Sequence, residues 1–192
     1  MSQKGYRVSV IAQRLPDRVL NEWLVRLRER HGLRVIQRGM SAISAVKVLK
    51  RGEVLGVLID QDIDIDGVFV PFFGAPAFTP IGTAILALKT GAAIVPMAIH
   101  MEPDGRHRIV IMEELEHPPD TLELKEKIRV LTERCSLAVE KLVRLYPQQW
   151  VWFHDRWKKA LESGIIKTDE NGKFVVDMGA IKEGIADGAY SN

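Results

Sequence analysis

The chain has one cysteine in 192 residues, Cys135, so a disulfide scaffold and a cysteine-based zinc cluster are both excluded and a reducing compartment is expected. It has no Walker-type phosphate loop, no G-x-G-x-x-G, no G-x-S-x-G and no zinc-binding spacing, which argues against a P-loop NTPase, a dinucleotide enzyme and a common serine hydrolase. Internal repeats and low-complexity tracts are missing, and Met1–Arg7 does not read as a signal peptide. Gly67–Leu88 carries no charge and is long enough for a membrane span, yet Pro71, Gly74, Pro76, Pro80 and Gly82 interrupt it, so it is not a transmembrane helix.

What is present is an ordinary globular composition, 46% hydrophobic and 27% charged, at a length that suits one domain. The net charge is only +2, but it is unevenly spread. Residues 1–51 hold 12 Lys/Arg against 3 Asp/Glu, and residues 52–120 hold 3 against 11. The basic third is compatible with phosphates, an acidic lipid surface or nucleic acid, and equally with arginines that solvate a helix face. No recognition motif accompanies it, so nucleic acid is not expected as a partner.

Periodicity predicts a short strand over Tyr6–Ala12, a helix over 17–31 carrying Leu20, Trp23, Leu24 and Leu27, and a stop at Gly32. A second strand follows at Leu33–Ile36, then a helix with Ser41 as candidate cap, then an apolar strand from Val54 to Ile59 that breaks at Asp60. This alternation predicts an α/β fold with a largely parallel sheet. Beyond it, Val68–Pro71 reads as a strand, the next residues as a Gly/Pro loop, and the segment from Pro80 to Thr90 as a helix with proline in its first turn. A strand over Ala92–Met101, a turn at Pro103-Asp104-Gly105, a strand over Arg108–Met112 and a long helix over 121–145 complete the pattern. From Leu161 onward, scattered glycines predict a peripheral tail, giving an α/β domain over 1–160 and a tail over 161–192.

Asp60-Gln61-Asp62 is the most promising local feature, because ligands in open α/β sheets sit beyond the carboxyl ends of strands. Asp64 and Asp66 extend the acidic alternation, but the Gly and distal Glu of a calcium loop are missing, and no metal is expected. The alternative is a solvated loop that caps the strand. Trp150, Trp152 and Trp157 flank His154-Asp155-Arg156; packing is the reading favoured for the tryptophans, with membrane-interface contact as the alternative. His31, His100, His107 and His117 read as surface or turn residues, His100 straddling a hairpin with Asp104.

Taken in order, several of these segments resemble bacterial lipid A biosynthesis acyltransferases. Gly52-Glu53-Val54-Leu55-Gly56-Val57-Leu58-Ile59-Asp60-Gln61-Asp62 is similar to the family's G-x-x-x-G-x-x-x-D-Q/H-D segment, and Val68–Gly74 follows at suitable spacing. Thr79, Gly82, Ala87, Thr90-Gly91-Ala92 and Pro96 look like its next run, and Pro147–Lys158 is similar to P-x-Q-W-x-W-x-H-x-R-W/F-K. The likeness covers about residues 5–159.

The resemblance implies a mixed, mostly parallel α/β sheet with helices on both faces, of the glycerolphosphate acyltransferase type. It implies transfer of a fatty acyl chain from acyl carrier protein to a hydroxyl of a glycolipid, a lipid A precursor, at the cytoplasmic face of the inner membrane and without a cofactor. Arg14, Arg28 and Arg38 match family arginines and are expected to bind the head group or build the site, since forked guanidinium donors suit phosphate oxygens. Asp60, Gln61 and Asp62 match its site segment, and Gly74 and Thr79 are expected to shape the site loop. The family's general base lies in a His-x4-Asp/Glu motif upstream of the strand matched here by Val8–Ala12. Five residues beyond the histidines of this chain stand Ile36, Gly105, Met112, Leu122 and Lys159, none of them acidic. The chain is therefore expected to be a truncated form that lacks the motif and the membrane anchor, is peripheral to the membrane and is inactive alone. The alternatives are a non-catalytic lipid-binding or partner protein, or an acyltransferase for another glycolipid.

Overall fold

The computed structural model describes residues 5–37, 41–171 and 173–177. Two compact units divide it, one made of Met1–Leu58 with Leu86–Ala92, the other of Ile59–Ile85 with Ala93–Asn192.

The first unit is a strand–helix repeat. Strand β1 (Val8–Ala12) is central in a parallel sheet with β2 (Leu33–Gln37) on one side and β3 (Val54–Gly56) on the other. Helix α1 (Arg18–Arg30) starts where Asp17 accepts the Leu20 N–H at 2.7 Å, and it stops at His31 with Gly32 left-handed at φ 76°. Helix α2 (Ser41–Lys50) buries Ala45 and Val48. The candidate cap Ser41 is the first residue of this helix, and its side chain lies outside the described residues. The third strand is shorter than its apolar run predicts. Its ladder with β1 ends at Gly56, and Leu58 is exposed, because apolar character alone does not hold a segment in a sheet once pairing stops.

The second unit is built on antiparallel hairpins. Strands β4 (Gly67–Phe72) and β5 (Ala75–Pro80) are joined by Phe73-Gly74, both at positive φ, the pattern of a type I′ turn. The Gly/Pro segment expected to be a loop is thus a strand. Alternation from a two-residue turn places Pro71, Pro76 and Pro80 at the non-hydrogen-bonded pairs, where a missing N–H costs nothing. Pro80 accordingly ends β5 rather than opening helix α3 (Gly82–Thr90). Strands β6 (Met97–Met101) and β7 (His107–Ile111) form the expected hairpin, although β6 begins five residues later than its apolar run.

Helix α4 (Leu124–Leu145) runs 22 residues and buries Ile128, Leu131, Cys135, Ala138 and Leu142 at helical spacing, with β4 as its main neighbour. Ser136 on this helix donates to the Pro71 carbonyl at 2.8 Å. A 3-10 turn at Pro147–Gln149, helix α5 (Lys158–Glu162) and a hairpin of β8 (Ile166–Thr168) with β9 (Phe174–Val176) complete the described residues, Ile165 and Ile166 being buried. The fold is α/β, but among the described residues only the three-stranded sheet is parallel, and the other named strands pair as two-stranded antiparallel hairpins. The parallel sheet expected from the sequence is found in the first unit and does not extend further, because strand–helix alternation stops after β3.

Candidate functional site

The best-built polar site lies in the second unit, where Asp60–Asp64 meets Trp150–Lys159 across some ninety residues of sequence. The Asp60–Asp64 stretch has no sheet partner, so side chains from the other segment satisfy it. Trp150 donates its indole N–H to Asp60 Oδ2 at 3.1 Å, and the Asp62 N–H is accepted by His154 Nε2 at 2.9 Å. That geometry fixes His154 as the Nδ1–H tautomer. The Lys159 N–H donates to Asp62 Oδ2 at 2.9 Å, and Lys159 Nζ donates to the Ile63 carbonyl at 2.9 Å and reaches Asp64 at 3.5 Å.

Beneath this contact lies Arg156, 1% exposed. Its guanidinium donates to the Phe78 carbonyl and to Thr79 Oγ1, and it lies 5.3 Å from the Phe72 ring centroid. Burial pushes the guanidinium down to about 10, while the charges of Asp62 and Asp60 favour its protonated form. An aromatic floor supports the arrangement. Phe72, Ala77 and Val143 form a buried cluster against which Phe73, Trp150 and Trp157 pack, with the Phe72 ring 5.6 Å from Trp150 and 5.8 Å from Trp157. Trp150 and Trp157 are therefore packing residues, as favoured from sequence, whereas Trp152 is half exposed and donates to the Pro147 carbonyl.

Phe73 is a non-glycine residue at φ 51°, a conformation that needs support from its surroundings. Its N–H donates to Glu140 Oε2 at 2.6 Å, and the Arg144 guanidinium lies 4.5 Å from its ring centroid. Arg144 also binds Glu140, and together with the Phe73 N–H it holds the Glu140 carboxyl below the usual range against an opposing burial effect.

The expected site residues fall into separate groups. Asp60, Asp62 and Thr79 belong to the arrangement just described, through Trp150, Lys159 and Arg156 respectively. Gln61 between them is exposed. Gly74 is at φ 78° in the β4–β5 turn. Arg14, just after β1, is exposed, and Arg28 on α1 is half buried; both belong to the first unit. Arg38 lies outside the described residues.

His100 corrects the expectation of a surface residue. It is 4% exposed on β6, stacked on Tyr146 at 3.5 Å and in contact with Glu102 at 3.1 Å, while Asp104 pairs with Arg106. The sequence reading also missed Arg156 and Lys159 as partners of the site. Arg156 stands in the conspicuous Pro147–Lys158 segment but nothing local gives its partners, and Lys159 falls just after that segment with nothing local to mark it. Among the described residues, no three His, Cys, Asp or Glu side chains are grouped to hold a metal ion.

The segments brought together here are those that carry the family resemblance. A sequence profile described as "Bacterial lipid A biosynthesis acyltransferase" matches residues 1–159, and the chain belongs to that family. It is 34% identical over 115 residues, 59% of this chain, to a "Lipid A biosynthesis lauroyltransferase" of Escherichia coli, of which the match covers 36%. It is 31% identical over 107 residues, 54% of this chain, to a "Phosphatidylinositol mannoside acyltransferase" of Mycobacterium tuberculosis, of which 34% is covered. A protein of the same description from Mycolicibacterium smegmatis is 25% identical over 154 residues, 78% of this chain and 48% of the relative. These matches span roughly a third to a half of the relatives' length.

Proposed function

We propose that this chain acts in acyl transfer to a membrane glycolipid, with a lipid A precursor as acceptor and acyl carrier protein as donor. Family membership supports the reaction class. The observation that carries the site is the joining of Asp60–Asp62 to Trp150–Lys159, which makes the two most specific parts of the resemblance one structure. In this reading Asp60 and Asp62 are positioning residues whose carboxylates hold a loop, and Thr79 and Gly74 shape the neighbouring hairpin. Gln61, left exposed by the same loop, is the member that reaches the acceptor. Arg14, Arg28 and Arg38 supply forked donors to head-group phosphates.

The chemistry requires a base to take the proton of the acceptor hydroxyl as it attacks the thioester carbonyl. No histidine of this chain has the family's acidic partner five residues on, so the chain binds acceptor without turning it over by itself. It acts peripherally at the cytoplasmic face of the inner membrane. Residues 1–160 form the acyltransferase-like domain and 161–192 a peripheral tail. Among the described residues, no helix is long and apolar enough to cross a membrane.

The likeness to phosphatidylinositol mannoside acyltransferases favours a second reading, in which the acceptor is another phosphorylated glycolipid. Equilibrium binding of the chain to lipid A precursor and to phosphatidylinositol mannoside in detergent micelles separates the two. The proposal expects saturable binding of the lipid A precursor that Arg14→Gln and Arg38→Gln each weaken about tenfold, the loss of one charge-assisted contact. Preference for the mannoside selects the second reading, and binding of neither overturns both.

A further inference from the structure

Helix α1 does not bury the apolar stripe that its sequence predicts. No residue of the helix is fully buried. Val19 is 78% exposed, Trp23 58%, Leu20 47% and Leu27 38%. At 3.6 residues per turn these four side chains span about 100° of the helix circumference. Arg26 falls about 20° outside this arc and comes within 4.0 Å of Glu22, while Arg30 falls inside it between Val19 and Trp23; both arginines are exposed. The half-buried positions Asn21, Leu24, Val25 and Arg28 form the opposite side, and β2 is the strand that neighbours the helix.

The surroundings of this face are basic. The residues of the first unit include 13 Lys/Arg against 4 Asp/Glu, while those of the second include 14 against 21. An outward apolar row that contains tryptophan and has one arginine within it and another beside it, on a strongly cationic unit, has the composition of a helix lying in a lipid headgroup layer. There the indole sits at the interface and the arginine stems extend toward lipid phosphates.

We infer that α1 is a docking helix for an anionic phospholipid surface, with Val19, Leu20, Trp23 and Leu27 entering the bilayer boundary and Arg26 and Arg30 meeting its phosphates. This deepens the proposed function, which places the acceptor in a membrane. Its test involves neither acceptor nor acyl donor, so either idea can fail alone.

The full chain is floated with phosphatidylcholine vesicles, with and without phosphatidylglycerol. It is expected to float with the anionic vesicles and to remain largely unbound with the neutral ones. Replacing Val19→Gln together with Trp23→Gln should lower the partition about tenfold or more. Arg26→Gln and Arg30→Gln should each lower it about fivefold on anionic vesicles, without disturbing the apolar row. All four positions are exposed, so thermal unfolding should be unchanged and the loss attributable to the surface. Equal flotation on both vesicle types, or variants that float as well as the unaltered chain, overturns the inference. So does failure to float combined with a dimer that Val19→Gln and Trp23→Gln dissociate, since a second copy would then occupy the face.

Discussion

The indole N–H of Trp150 donates to Asp60 Oδ2 at 3.1 Å, tying together two residues ninety positions apart. Phe72 lies under the same indole, so packing sets its direction and the carboxylate sets its hydrogen bond. Trp150→Phe retains the ring and removes the donor. Hydrogen bonds to charged groups are worth about 1.5–3 kcal/mol, and solvent access places this half-buried one at the lower end. In a urea double-mutant cycle with Asp60→Ala, the two losses should fall short of additive by about 1 kcal/mol.

His154 holds the loop through one acceptor nitrogen on the Asp62 N–H. His154→Phe keeps the ring but leaves that N–H without its partner, which should cost about 1–3 kcal/mol. His154→Gln restores an acceptor and should recover part of the loss. Equal destabilisation by both changes in denaturant titrations would show that the imidazole packs rather than accepts.

Arg156 is buried with two acceptors, and lysine cannot serve both in the same plane. Arg156→Lys should destabilise by about 1–3 kcal/mol for each acceptor left unsatisfied. Arg156→Lys combined with Thr79→Val removes one of those acceptors and should be less destabilising than the sum of the single changes. Calorimetric unfolding checks both.

Much of this arrangement was legible in the sequence, for identifiable reasons. β1, α1, β2 and α4 follow from periodicity, and Gly32 marks a helix end because only glycine adopts its left-handed conformation cheaply. The β5 strand was hidden by Pro76 and Pro80, whose fit depends on register, and register follows from a turn in which Phe73 takes an unfavourable φ. The aspartates stood out as a local pattern, and so did Trp150 and His154 in theirs. That the two segments pair, and that Lys159 joins them, was not legible, because contacts across ninety residues leave no periodic trace. The exposed face of α1 was likewise unreadable, since amphipathic spacing is the same whether the apolar side meets protein or lipid.

Gly67 tests the hairpin. A Cβ there would lie 2.6 Å from the Phe78 ring and 2.8 Å from the Thr79 carbonyl oxygen, and the latter is backbone that cannot swing away. Gly67→Ala should destabilise by about 1–3 kcal/mol through overpacking. A melting temperature equal to that of the unaltered chain would show that the hairpin yields at this point.

Cys135 is buried on α4, and burial pushes its thiol up to about 11 from an ordinary 9.0. The unfolded thiol thus loses its proton first as pH rises. The contribution of this group to stability is complete below pH about 9 and is lost progressively between about 9 and about 11. At pH 8 the native thiol should react with an aromatic disulfide reagent only as fast as the chain opens, and promptly in denaturant. Prompt reaction of the native chain would show that the helix face is accessible.

The most direct test of the account supplies the purified chain with an acyl carrier protein thioester and lipid A precursor, and measures acceptor binding and acylated product in the same mixture. The expected result is acceptor bound in an Arg14- and Arg38-dependent manner with no product above the reaction lacking protein. Product formed by this chain alone would contradict the account, because a base outside the His-x4-Asp/Glu pattern would then be performing the reaction.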